Sequence, residues 1–326
     1  MKRVLFAAVL AVCCLGAGAS MAQGYPTRPI TMVVAYPPGG STDGLARIVA
    51  AAMAKNLAQQ IIVENVGGAG GTIGTQRVLK SSPDGYMITF GNMGSLAIAG
   101  PLYPNIKFDP VRDLAPIGLV ADVPMVLSAS IKSGYTTLQQ LLDQLRKDGA
   151  AVNFGTAGPG STGHIGAVLF LHVTRNNATL VSYRGAGPAL ADLMAGTVDT
   201  VIDQTVTMIP IHKGGRVRAL AVSGKQRVEQ IPDVPTFAEA GAPAFDLSVW
   251  NGIAAPAGTP QAVVDRLAQA LAAALKDPEV IDRFGKMAAV IPPLAEQGPK
   301  PFAALIARDV VRFSELIQAT GLKPGD

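Results

Sequence analysis

Ile30-Thr31-Met32-Val33-Val34-Ala35-Tyr36-Pro37-Pro38-Gly39-Gly40-Ser41-Thr42-Asp43 carries an apolar run straight into a polar, glycine-containing turn. The run reads as a strand buried on both faces. Beyond the turn, Leu45, Ile48, Val49, Ala52 and Met53 recur at helical spacing as far as Leu57. Asp43 is the expected N-cap. Strand, turn and helix in direct succession are the unit of an α/β fold.

The unit recurs along the chain. Ile61-Ile62-Val63 leads through the glycine run 67–71 to a helix predicted over 72–80. Residues 86–90 form a strand before the polar turn 91–95. Val152-Asn153-Phe154 leads into Gly155-Thr156-Ala157-Gly158-Pro159-Gly160-Ser161-Thr162-Gly163-His164, then a helix whose apolar face holds Ile165, Val168, Leu169 and His172. A strand over 179–183 precedes a helix over 188–194, ended by Gly196. Strands follow at 198–202 and 219–222. Two longer extended segments are predicted, 116–129 broken at Pro124 and 247–254. Thr259-Pro260 caps a helix reaching Leu275, and a last helix spans 302–319 before Gly321. The alternation implies an α/β fold of mixed, mostly parallel sheets flanked by helices.

Two of these turns share a chemistry. A helix start leaves backbone N–H groups unpaired and carries partial positive charge. The turns at 37–43 and 155–164, set face to face, would hold an anion without Lys or Arg.

Lys2 and Arg3, the apolar stretch 4–19 and Ser20-Met21-Ala22 have the layout of an export signal cleaved after Ala22. Cys13 and Cys14 lie within it, so the mature chain has no cysteine and no disulfide or thiolate site. Removing Lys2 and Arg3 takes the formal charge from +4 to +2. With no basic run and 5% aromatic residues, nucleic acid is not an expected partner. The three histidines share no metal-ligand spacing with carboxylates, so neither metal nor cofactor is expected.

An ordered set of fragments resembles the Bug-type solute receptors of tripartite tricarboxylate transporters. The set includes Tyr25-Pro26-Thr27-Arg28-Pro29-Ile30, Pro38-Gly39-Gly40-Ser41-Thr42-Asp43, Pro83-Asp84-Gly85-Tyr86, Gly158-Pro159-Gly160-Ser161, Tyr183-Arg184-Gly185, Ile231-Pro232-Asp233-Val234-Pro235-Thr236 and Trp250-Asn251-Gly252. The resemblance implies a two-lobed periplasmic binding protein, type II-like, with residues 23–124 and 248–326 in one lobe and 125–247 in the other. It implies a small carboxylate solute in the cleft, integral-membrane transporter components as partners, and a monomer.

The candidate contacts for the solute are Tyr36, Pro38, Gly39, Gly40, Ser41, Thr42 and Asp43 in the first turn. In the second they are Thr156, Gly158, Gly160, Ser161 and His164. Asn92, Ser95, Tyr183 and Asp203 join them from other strand ends. Two other readings exist: a secreted hydrolase, or a sensory receptor signalling to a histidine kinase. The hydrolase would need Ser161 as nucleophile beside His164, but Pro159 stands where a nucleophile elbow has glycine.

Overall fold

In the computed structural model, residues 24–323 are described. The export signal expected over residues 1–22 lies outside them. The strands are β1 (Ile30–Val34), β2 (Ile61–Asn65), β3 (Met87–Asn92), β4 (Leu114–Ser130), β5 (Asn153–Thr156), β6 (Thr179–Ser182), β7 (Thr200–Gln204), β8 (Val217–Val222) and β9 (Ser248–Pro256). They form one sheet in the order β2-β1-β3-β9-β4-β7-β5-β6, with β8 also paired to β4.

The strand–turn–helix units pair in parallel: β1 with β2 and β3, and β5 with β6 and β7. The architecture is thus mixed α/β, and its antiparallel part comes from two strands. β9 runs antiparallel to β3 and β4, and β4 runs antiparallel to β7 and β8.

β4 is continuous across Pro124, where the sequence predicts a break. Residues 114–124 pair with β9 and residues 125–129 with β7. Pro124 sits where one partner ends and the next begins, so its missing N–H interrupts no continuous ladder.

Helices cover the sheet. Ser41–Leu57 and Gln261–Ala274 bury Leu45, Val49, Met53, Leu267 and Leu271 against Met32, Val34 and Ile88. On the β5–β7 side, Phe154, Phe170, Phe237 and Phe245 form an aromatic cluster with ring centroids 4.3–6.3 Å apart. Their tilted and edge contacts add to area burial.

Several local expectations change. Thr259 does not cap its helix through its side chain; its hydroxyl bonds Pro256 O at 2.8 Å. The helix Thr162–Thr174 buries Ala167, Phe170 and Leu171, and His172 is exposed. That helix is apolar nearly all round, so its pattern does not choose a face. After β3, a π-helical turn Gly94–Ile98 replaces the predicted polar turn. The helix Thr205–Lys213, which contains Pro210, has no sequence counterpart.

Candidate functional site

Four helices start at one place. Their N-caps are Gly40, Ser161, Gly185 and Gln204, opening Ser41–Leu57, Thr162–Thr174, Ala186–Ala195 and Thr205–Lys213. The chamber between them holds about 30 Å³. Its wall is built from Tyr36, Pro37, Gly40, Ser41, Thr42, Asn92, Ala157, Ser161, Thr162, Ala186, Asp203 and Gln204. Among the described residues, no Lys, Arg or His lines it. The positive potential comes from backbone N–H groups of first helical turns.

The chamber adjoins a wider cavity of about 610 Å³ with Tyr36, Pro37 and Ala157 in both walls. Its other walls are the glycine run 67–71 with Pro38 and Ile73 on one side, and Gly158, Pro159, Tyr183 and Arg184 on the other.

Of the sequence candidates, Tyr36, Gly40, Ser41, Thr42, Asn92, Ser161 and Asp203 line the chamber. Pro38, Gly158 and Tyr183 line the outer cavity. Gly39, Asp43, Ser95, Thr156, Gly160 and His164 line neither, for physical reasons that differ. Asp43 lies inside the first helical turn and does not cap it. Its carboxylate accepts from Gly39 N at 3.0 Å and Asn65 Nδ2 at 2.9 Å, and pairs with Arg47 at 2.9 Å. Burial opposes ionisation there, but Arg47, Gly39 N–H and Asn65 outweigh it and hold the carboxyl below its ordinary value. Asp43 thereby locks the turn that shapes the wall.

Ser95 supports the end of β3, its hydroxyl accepting from Asn92 N at 3.2 Å. Asn92 is then free to reach the chamber. It accepts from Tyr36 Oη at 2.7 Å and donates to Thr42 Oγ1 at 3.0 Å. Thr156 is fully buried at the end of β5. Gly39, at φ +85°, faces open space on the side a Cβ would occupy.

The second turn is braced mainly by its own residues. Ser161 Oγ accepts from His164 N, and His164 Nδ1 accepts from Gly160 N, both at 3.2 Å. Ser161 is a helix cap and His164 a loop brace.

The two sides touch at several points. Tyr103 Oη donates to Pro159 O at 2.8 Å. Asn251 Nδ2 donates to Gln204 Oε1 at 3.1 Å. Ser41 Oγ donates to Thr207 Oγ1 at 3.2 Å, and Thr207 Oγ1 to Asp203 Oδ2 at 2.9 Å. Burial pushes Asp203 up to about 6, against the lowering effect of the Gln204 N–H and the Thr207 hydroxyl. Tyr183, whose hydroxyl donates to Asp192 at 2.6 Å, is pushed up to about 12 by burial and by that carboxylate.

Sequence reasoning misses Pro37, Ala157, Thr162, Ala186 and Gln204 as wall residues. Gly185 ahead of a short helix was a usable signal for Ala186. Gln204 gave none, because Pro210 disguises the helix it caps.

Among the described residues, no group of His, Cys, Asp and Glu could hold a metal ion, and no helix is long and apolar enough to cross a membrane.

The profile of the Tripartite tricarboxylate transporter family receptor matches residues 45–322. Protein BugT of Bordetella pertussis is 35% identical over 303 residues, 93% of this chain and 92% of BugT. MatC from Rhodopseudomonas palustris, solved with bound malate, superposes with TM-score 0.86 at 33% identity, covering 90% of this chain and all of MatC. An R. palustris protein solved with adipate gives TM-score 0.86 at 30% identity, covering 92% and 99%. The start of the first long helix, the cluster of helix N-termini and the mixed sheet all fall inside the matched span or beside it, and the chain belongs to the tripartite tricarboxylate transporter receptor family.

Proposed function

We propose that this chain captures a small carboxylate in the chamber and delivers it to the membrane components of a tripartite tricarboxylate transporter. The observation that carries the reading is the convergence of four helix N-termini on one small chamber that no cationic side chain of the described residues lines. Such a site favours an anion able to accept several N–H and O–H hydrogen bonds at once, which a carboxylate does. The malate and adipate bound by two similar proteins agree with it. The chamber fits a carboxylate head, and the body of the solute extends into the outer cavity.

The partner change of β4 between Pro124 and Met125, with β9 starting at Ser248, supports two lobes: 23–124 with 248–326, and 125–247. Closure about β4 and β9 would enclose the solute. The receptor works as a monomer in the periplasm and does no chemistry on its solute. The use of Ser161 as a cap and His164 as a brace supports that last point.

The test is a thermal-unfolding panel of mono-, di- and tricarboxylates, amino acids and aromatic acids on the mature protein. A ligand at 100 times its Kd adds about 2.7 kcal/mol. A selective rise with one carboxylate class establishes the reading. No rise with any member, after unfolding and refolding to empty the site, overturns it.

A further inference from the structure

Asp203 is out of place in an anion site. It is 5% exposed, it forms part of the chamber wall, and the polar features around it are mainly donors: helix N–H groups, Thr42, Ser161, Thr162, and the Asn92 and Gln204 amides, with the Ser41 hydroxyl given to Thr207. On the elements around it, the charged and titratable groups are occupied or distant. Tyr36 donates to Asn92. Asp43 and Arg47 pair with each other. His164 braces Gly160 through Nδ1. Asp192 accepts from Tyr183. Arg184 lies in the outer cavity, and His212 and Lys213 end the helix that follows Asp203. Asp122 lies on the neighbouring β4, on the part paired with β9.

We propose that Asp203 holds the solute as a neutral carboxylic acid, donating its proton to the bound carboxylate, so that each binding event takes up one proton. The inference rests on the carboxylate-receptor reading. Two carboxylates sharing a buried site without a cation cannot both stay ionised. An ammonium group on the solute would be the other way to satisfy Asp203. It would sit among four helix starts of like sign, and Asp203 already accepts from Thr207 Oγ1 and Gln204 N. The chamber therefore selects an acid that carries no ammonium beside its carboxylate. The proton comes from solvent and returns to it on release.

Calorimetric titration with succinate, malate, adipate and aspartate, in buffers of different ionisation enthalpy from pH 5 to 8, counts the protons. The expected result is uptake of about one proton at neutral pH with the plain or hydroxy acids, and a Kd that rises about tenfold per pH unit above pH 6. Asp203→Asn, nearly isosteric, should take up none and bind more tightly than the parent chain at pH 8. Its thermal unfolding checks that it folds. Zero proton uptake in the parent chain, aspartate binding best, or loss of binding in Asp203→Asn at every pH with the fold intact each overturns the proposal. Absence of binding heat with all four acids at every pH, together with no thermal rise for any member of the wider carboxylate panel, overturns the receptor reading instead, and this inference with it.

Discussion

The turn at 36–43 and the turn at 157–164 each open a helix on the same chamber, yet they are stabilised in opposite ways. The second is held largely from within: Ser161 caps its own helix and His164 braces Gly160, both within four residues, and Tyr103 adds one bond from outside to Pro159 O. The first is held from outside. Asn65 on β2 reaches both Asp43 and the Tyr36 carbonyl, and Asn92 at the end of β3 reaches Thr42 and Tyr36. Ser41 spends its hydroxyl across the chamber on Thr207. The second turn thus draws most of its bracing from its own residues, while the first depends on distant strands and on the opposite wall.

The largest effect should come where the glycine run 67–71 meets the second turn. A Cβ on Gly70 would lie 2.7 Å from Pro159 O and 2.9 Å from Gly160 C, backbone atoms that cannot step aside. Gly70→Val should therefore hold the walls apart and cost about 100-fold in solute affinity, roughly 3 kcal/mol. Gly39→Val meets nothing within 4 Å and bears only the strain of φ +85°, about 1–2 kcal/mol of stability. Equal affinity losses in both would break the claim that affinity depends on the close approach of Gly70 to the second turn. Small-angle scattering of Gly70→Val should also show no compaction at saturating solute.

Next is Asp43→Ala, which removes the anchor of the first turn. Three partners lose their acceptor, and about 2–3 kcal/mol of stability should go, read by denaturant unfolding. Because the Asp43 carboxyl is held below its ordinary value when folded, the unfolded chain binds more protons in acid. The parent protein should therefore lose stability as pH falls below about 4, and Asp43→Ala should lose less. Asp203 acts with the opposite sign. Its raised value favours the folded state at low pH, and that contribution fades as pH rises through about 6. An unfolding curve lacking a shallow fall between pH 4 and 6, which Asp203→Asn would otherwise abolish, would contradict the burial assigned to it.

The smallest pair sharpens the contrast itself. Ser161→Ala removes a cap and should cost about 1 kcal/mol whether or not solute is present. Ser41→Ala removes a link across the chamber and should cost about 0.5–1 kcal/mol. Part of that cost should disappear in the presence of urea low enough to open the cleft without unfolding. The same stability loss for both under all conditions would erase the distinction between a turn braced mainly by its own residues and a cross-braced one.

Periodicity and turn chemistry were enough for the α/β alternation, because each parallel unit of strand, glycine turn and helix is local. Both anion-type turns were legible for the same reason: a helix start advertises itself through its own residues. Ala186 and Gln204 were less so. Each contributes only by being the N-terminal end of a helix aimed at a point set by other strands.

What the chain determined by itself is therefore the repeating unit, the polar helix starts and the set of fragments shared with the receptor family. All depend on contacts within a dozen or so residues. The tertiary structure alone decided that β4 would run unbroken through Pro124 and change partners there, and that four helix starts would meet. It alone placed the Asp203 carboxyl in their midst without a cation. Those outcomes depend on pairing between residues up to about 166 positions apart, such as Ser41 and Thr207. No local pattern encodes such pairing, because its energy comes from packing and desolvation that exist only once the sheet is assembled.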